Sequence, residues 1–187
     1  MPSGIITSIA CLKSPEFRMP TIYCFEPVAD HQAEILILGS MPGQASLSAN
    51  QYYAHRQNAF WRIMAELLQF NPETPYEEKT AALKSARIAL WDVLKSCQRQ
   101  GSLDARIEKE SQTVNDFQSF FRTHPKITRV FFNGGKAEAC FKQYILQKNN
   151  FAAIQFTRLP STSSANARLS FADKRKMWHQ LLITGIR

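Results

Sequence analysis

The stretch Ile35-Leu36-Ile37-Leu38-Gly39-Ser40-Met41-Pro42-Gly43 decides the fold. A short aliphatic run that ends at glycine reads as a strand, over 33–39, buried on both faces as parallel sheets require. Residues 40–57, rich in Ser, Gly, Pro, Gln and Asn, read as a long loop. A helix is expected from about Asn58, with Phe60, Trp61, Met64, Leu67 and Leu68 on its inner face, and Asn71-Pro72 ends it. A second helix over 77–85 leads into a strand over 86–90, and a polar, turn-like segment covers 97–104. Val114, Phe117, Phe120 and Phe121 mark the inner face of another helix that runs to His124-Pro125. A strand over 129–132 ends at Asn133-Gly134-Gly135. A helix through Ala137, Cys140, Phe141 and Ile145, a strand over 153–157, a loop over 159–168 and a helix over 171–184 complete the chain.

This alternation predicts an α/β fold, a three-layer α/β/α sandwich around a central, mainly parallel four-stranded sheet. Ligands of such sheets bind beyond the carboxyl ends of the strands. Each unusual loop follows a strand: Gly39 to Gly43, Asp92, Asn133 to Gly135, and Leu159-Pro160-Ser161-Thr162-Ser163. All four are expected to meet at one edge.

Length and composition agree with one domain. The 187 residues are 44% hydrophobic and 20% charged, ordinary values for a globular chain. Residues 1–18 lack the periodic apolar pattern and are expected to be a disordered extension, with 19–187 as the single domain. No apolar run is long enough to span a bilayer, and Ile5, Ile6 and Ile9 follow no basic segment, so neither a membrane anchor nor a signal peptide is expected. Cys11, Cys24, Cys97 and Cys140 form no CxxC or Cys/His pair, so no metal or other cofactor is expected. A monomer in the cytoplasm, associated with the nucleoid if the source is bacterial, is the expected setting.

The net charge of +8 suits a polyanionic partner, because each Lys or Arg placed on a phosphate releases counterions. Binding to a polyanion such as duplex DNA should therefore weaken steeply with salt. A flat log–log plot of affinity against salt would place the charge away from a DNA-binding face.

The motifs admit plain structural readings too. Gly39 to Gly43 suits close backbone approach to a ligand, or a simple strand-exit turn. It is neither a P-loop nor a dinucleotide fingerprint. Phe60 and Trp61 suit the core, and Asn58 suits a helix N-cap. Asp92 suits a cap on a following helix. Beside these stands the run Tyr52-Tyr53-Ala54-His55-Arg56-Gln57-Asn58, which offers aromatic faces and an amide from a loop.

Gly39-Ser40-Met41-Pro42-Gly43, followed by Tyr53-Ala54-His55 and Asn58-Ala59-Phe60-Trp61, resembles the first motif block of the mismatch-specific and thymine-DNA glycosylases. Phe132-Asn133-Gly134-Gly135-Lys136 and Leu159-Pro160-Ser161-Thr162-Ser163 continue the resemblance, which spans about residues 33–186. Leu90-Trp91-Asp92-Val93-Leu94 and Arg99-Gln100-Gly101-Ser102-Leu103-Asp104 are similar to one branch of the uracil-DNA glycosylase superfamily, the hypoxanthine-DNA (deoxyinosine) glycosylases. There are departures. Many relatives carry Asp or Asn, which handles the attacking water, where this chain has Met41. The second motif often opens with His where this chain has Leu159, and Ser164 stands where that branch has proline.

The resemblance implies a monofunctional enzyme that flips a deaminated base, most of all hypoxanthine, out of damaged DNA and leaves an abasic site. Tyr53 would stack on that base. Asp92, as an ionised carboxylate, would accept from the N1–H of hypoxanthine and repel the bare N1 of adenine. Gly39, Met41 and Asn133 would complete the base site, with backbone N–H groups near Ser40 and Met41 meeting charge on the base. Asn58 and Ser40 are the catalytic candidates, Asn58 to position water or to bond the departing purine. Pro42, Gly43, His55, Lys136, Ser161, Thr162, Ser163, Asn166 and Arg168 are expected on the DNA, Asn166 and Arg168 (with Ala165) as fillers of the vacated stack. Lys136 could form a Schiff base, but a phosphate contact suits it better. Two alternatives stay open: a uracil or mixed-specificity mismatch glycosylase, and a non-catalytic nucleic-acid-binding module.

Overall fold

The computed structural model describes residues 19–183, with side chains up to His179. The expected extension over 1–18 lies outside the described residues. Among the described residues, seven strands and six α-helices follow in order: β1 (Thr21–Tyr23), β2 (Ile35–Gly39), α1 (Gln44–Ala49), α2 (Phe60–Leu68), α3 (Tyr76–Ser85), β3 (Ile88–Asp92), β4 (Leu94–Gln98), β5 (Thr113–Val114), α4 (Phe117–Thr123), β6 (Arg129–Asn133), α5 (Gly135–Phe141), β7 (Gln155–Leu159) and α6 (Phe171–Ile183).

Four strands form an all-parallel sheet in the order β3-β2-β6-β7. Every residue of β2 and β3 is buried, which is why both read as unbroken apolar runs rather than alternating ones. The connection from β2 leads one way to β3, and the next crosses back over β2 to β6. With right-handed crossovers, α1–α3 therefore cover one face while α4 and α5 cover the other. Phe117 of α4 packs on Phe141 of α5 with ring centroids 4.9 Å apart, and Phe60 of α2 packs on Trp178 of α6 at 5.8 Å. These two contacts place the two halves of the core. The reversal of strand order opens a crevice between the carboxyl ends of β2 and β6, the place where such sheets take ligands.

The ends of the elements differ from the expectations for local reasons. The strand expected over 86–90 begins at Ile88, because Arg87 leaves α3 with a left-handed φ of 58°. That shift makes Asp92 the last residue of the strand. The strand expected over 153–157 likewise moves to Gln155–Leu159, after a turn. Helix α2 starts at Phe60 and ends where Gln69 turns left-handed, before Asn71-Pro72. Val114 belongs to β5 rather than to the helix at 117.

The segment over 97–104, expected to be turn-like, begins instead in a second sheet. β4 pairs antiparallel with β1 and β5, and Ser96 Oγ meets Thr113 Oγ1 at 2.5 Å. Its consequence for the site is direct. No helix follows Asp92, so the carboxyl caps nothing. The chain instead passes from β3 into β4 through Val93, whose N–H donates to Gly39 O, and Leu94 N–H donates to Ser40 O. The second sheet thereby carries residues 99–106 to the mouth of the crevice.

Candidate active site

The first wall is the loop after β2. Gly39 lies opposite Asp92 in the β2–β3 register. A Cβ at Gly39 would fall 2.3 Å from Asp92 Oδ1 and 3.0 Å from Tyr53 Oη. Glycine is thus required by close approach, since only a bare Cα lets a carboxyl and a phenol converge there. Met41 is a core residue at 6% exposure, and Pro42 is buried as well. Any contact of Met41 with a base falls to its backbone. Gly43 precedes α1, and its carbonyl accepts from Leu47 N–H.

Asp92 is buried, and its Oδ2 has no hydrogen-bond partner. Loss of water pushes the carboxyl up to about 8, helped by the negative Asp104 and opposed by Arg99. At neutral pH the free protein therefore holds Asp92 mainly protonated. The expectation of an ionised carboxylate is changed by this burial.

Tyr53 has a left-handed backbone (φ 56°), and its ring stacks on Phe60 at 4.1 Å. Its hydroxyl is buried and unpartnered. Burial, then the Asp92 charge, drive its ionisation far upward, so it stays a neutral phenol. The Asn133 amide is near enough to favour the ionised phenol slightly, but the two do not reach hydrogen-bond geometry. One face of the Tyr53 ring is occupied by Phe60, so the stacking role expected of this ring would fall to the other face.

The opposite wall is tied by Asn133 at the end of β6. Asn133 Nδ2 donates to Thr162 Oγ1 (2.9 Å), and Thr162 N–H donates to Asn133 Oδ1 (2.8 Å). Thr162 is fully buried, so its side chain holds the loop and cannot reach a phosphate. Ser161 and Ser163 remain half-buried at the surface of that loop. Gly134 (φ +98°) is packed so closely on Ser161 that a Cβ would lie 2.8 Å from Ser161 Cβ. Helix α6 fixes the loop from below: Trp178 Nε1 donates to Pro160 O (2.8 Å), and the buried Lys174 Nζ donates to Ser163 O (2.9 Å). Burial lowers the pKa of Lys174. Asn166 Nδ2 donates to Ser161 O, while Arg168 is exposed at the loop's end. Leu159 is wholly buried, with its carbonyl accepting from Gly134 N–H.

Replacing Asn133 with alanine should strand the buried Thr162 hydroxyl and N–H. The expected cost is about 1–3 kcal/mol of stability, together with weaker DNA binding. Thermal melting and duplex affinity check it; an unchanged midpoint would mean the Thr162 tie does not hold the loop.

Asn58 lies between the walls. Its Oδ1 accepts from Phe60 N–H (3.0 Å), so the side chain does close the start of α2, and Nδ2 is the donor left to face a ligand. The neighbouring Ala59 N–H donates to Thr162 O (3.0 Å), joining this segment to the second loop. His55 is exposed, with Nδ1 accepting from Gln57 N–H (3.2 Å). Lys136, half-buried in the first turn of α5, turns its charge towards Asp104 and Cys140 rather than standing free on the surface.

Two residues that the sequence presents only as parts of a motif, Arg99 and Asp104, belong to the site. Ser40 Oγ donates to Asp104 Oδ2 at 2.8 Å. Arg99, buried, donates through Nε to Gly101 O (2.9 Å) and through Nη2 to Pro42 O, and its Nη1 lies 3.9 Å from Asp104 Oδ1. Ser102 Oγ accepts from Gln44 N–H (2.9 Å). The segment 99–104 is thus bolted to the loop after β2. A Ser–Asp pair separated by 64 residues leaves no local signal; only the pattern around Gly101-Ser102 hinted that the segment mattered.

The site therefore combines a neutral buried acid, a neutral phenol, an amide donor and a half-exposed carboxyl with a serine-rich loop tied down by Asn133, Lys174 and Trp178. A family model described as the uracil DNA glycosylase superfamily matches residues 26–182. The chain is 39% identical over 147 residues to a protein of Methanosarcina acetivorans named hypoxanthine DNA glycosylase, covering 78% of this chain and 89% of that one. It is 34% identical over 155 residues to a protein of the same name from Methanosarcina barkeri, covering 82% and 93%. The solution NMR structure of a candidate uracil DNA glycosylase from Methanosarcina acetivorans superposes with a TM-score of 0.70 at 34% identity, over 87% of this chain and 99% of that one. With that model spanning most of the chain and these relatives aligned over most of their length, the chain belongs to the uracil DNA glycosylase superfamily.

Proposed function

We propose that the protein removes hypoxanthine from DNA by hydrolysing its N-glycosidic bond and leaves an abasic site. The observation that carries this is the pair of buried, unpartnered polar atoms beside Gly39, Asp92 Oδ2 and Tyr53 Oη. Buried polar atoms left without partners, side by side at the end of two strands, mark a site that a ligand or water completes. A neutral carboxyl presents an O–H donor beside a C=O acceptor. Deamination of adenine turns an amidine edge into a lactam, N1–H beside C6=O, and a neutral carboxyl matches that edge with two hydrogen bonds.

The same lactam occurs in uracil, so the edge alone supports deaminated bases as a class. Hypoxanthine is favoured by the two relatives of that name, which align over most of the chain. Asn58 Nδ2 supplies a donor for the departing purine. Ser161, Ser163, Asn166 and Arg168 form the loop that meets the DNA backbone and the vacated stack.

The test is a panel of duplexes bearing inosine, uracil, xanthine or a thymine mismatch, read as abasic sites under single-turnover conditions. Inosine should be processed fastest. Faster uracil excision would reassign the substrate, and no abasic sites on any duplex would leave a DNA-binding role alone.

A further inference from the structure

Hydrolysis of a glycosidic bond needs a group to take the proton of the attacking water. Asn58 is an amide and cannot. Asp92, in the reading above, is engaged by the base itself and is not free to take that proton. Asp104 differs on each count. Its side chain is 40% exposed, so water reaches it, while Oδ2 is held by Ser40 Oγ at 2.8 Å. Oδ1 is left to act. The guanidinium of Arg99 stands 3.9 Å from it, with a wholly buried side chain and an Nη1 that has no hydrogen-bond partner. An ionised Asp104 is what balances that buried charge.

We propose that Asp104 is the base of the hydrolytic step, with Ser40 as the residue that orients it. The proposal rests on the glycosylase reading above. A water on Asp104 Oδ1 attacks C1′ of the flipped nucleotide. The water oxygen bonds to C1′ as the C1′–N9 bond breaks, its electron pair leaving on the purine. The water's proton passes to Asp104, and the purine anion is quenched by a proton from solvent. Asp104 then returns its proton to solvent. Ser40 donates to Oδ2 throughout, which leaves Oδ1 for the water.

The groups that face Asp104 are Asp92 from β3, Cys97 from β4, Arg99 from its own segment, Tyr53 from the loop before α2, and Lys136 and Cys140 from α5. Burial raises the carboxyl, while the Ser40 hydrogen bond, Arg99 and Lys136 lower it. Ionisation of Asp104 should give excision an acid limb: the rate rises with pH as the carboxyl loses its proton.

The experiment compares the full chain with Asp104→Asn on an inosine duplex, under single-turnover conditions and across pH. The amide oxygen still accepts from Ser40 but takes no proton. The rate should fall about 10²–10³-fold, the usual worth of general-base catalysis, and the acid limb should vanish. Affinity for a duplex carrying a tetrahydrofuran abasic analogue should stay within about threefold. An active wild type with an equally fast Asp104→Asn overturns the proposal. So does a slow variant that keeps the acid limb and loses thermal stability and duplex affinity in step, because Asp104 would then only tie two loops. A wild type inactive on inosine sinks the functional reading instead. If Asp104→Asn does not fold, Ser40→Ala decides: a loss of about tenfold with the acid limb moved upward is expected, and an unchanged rate and limb overturn the proposal.

Discussion

Gly39→Ala should cost both the fold and the chemistry, and it should do so through two side chains rather than through the backbone. The new Cβ would stand 2.3 Å from Asp92 Oδ1, well inside any tolerated contact, and 3.0 Å from Tyr53 Oη. Relief by a side-chain swing is restricted, because Asp92 is buried in β3 and the Tyr53 ring is stacked on Phe60. Relief by parting the strands would break the pairing at the end of β2 and β3. Overpacking of this kind costs about 1–3 kcal/mol, which for a chain of this size lowers the thermal midpoint by roughly 2–12 °C. A shift of the site by about 1 Å costs on the order of a hundredfold in rate. Single-turnover excision should therefore fall at least that far. The double variant Gly39→Ala/Asp92→Ala separates the causes, since it removes the main clash. Its midpoint should recover towards that of Asp92→Ala alone, showing coupling between the two sites, while excision stays low. Additive losses in midpoint would mean that the added methyl group is strained by something other than Asp92.

The parallel sheet was legible because its strands are buried on both faces. Ile35 to Leu38 and Val130 to Phe132 have no polar interruption to confuse the reading. The small sheet was not legible. β1 and β5 have three and two residues, too few to show a period, and β4 mixes Leu94 and Cys97 with Lys95, Ser96 and Gln98. Ser96 is buried only because Thr113 meets it across the sheet. Helix α1 carries no sequence signal for a similar reason: Gln44-Ala45-Ser46-Leu47-Ser48-Ala49 has one large apolar residue in six.

At the site, residues near one another in sequence or at strand ends could be singled out before the fold was known. Gly39, Asp92 and Asn133 all end strands of the parallel sheet. Thr162 could be found but not understood, since burial under Asn133 is a tertiary fact. Asp104 and Arg99 reach the site only through β4, the strand that composition hid. The protonation of Asp92 was likewise out of reach, because it follows from burial and from the charge of Asp104.

That protonation sets the outcome expected for Asp92→Asn. An acid normally ionised in the unfolded chain near pH 4 is held here up to about 8. Between those limits the native state binds the extra proton, so stability is greatest below the unfolded value and falls as pH rises to about 8. The amide carries no such proton. The midpoint of Asp92→Asn should therefore lose less than that of the wild type as pH rises from about 5 to about 8, the difference corresponding to a few kcal/mol. Excision gives the second readout. If the neutral carboxyl reads the lactam, ionisation replaces a donor facing C6=O with a repelling oxygen, and wild-type excision should fall above pH 8 by about tenfold or more. The variant keeps one donor and one acceptor at every pH and should show no such alkaline limb. A wild-type rate that rises through pH 8 would instead assign base reading to the ionised carboxylate, as the charge argument from sequence had it. A wild-type rate and midpoint both indifferent to that range would remove Asp92 from contact with the base, and the lactam match would go with it.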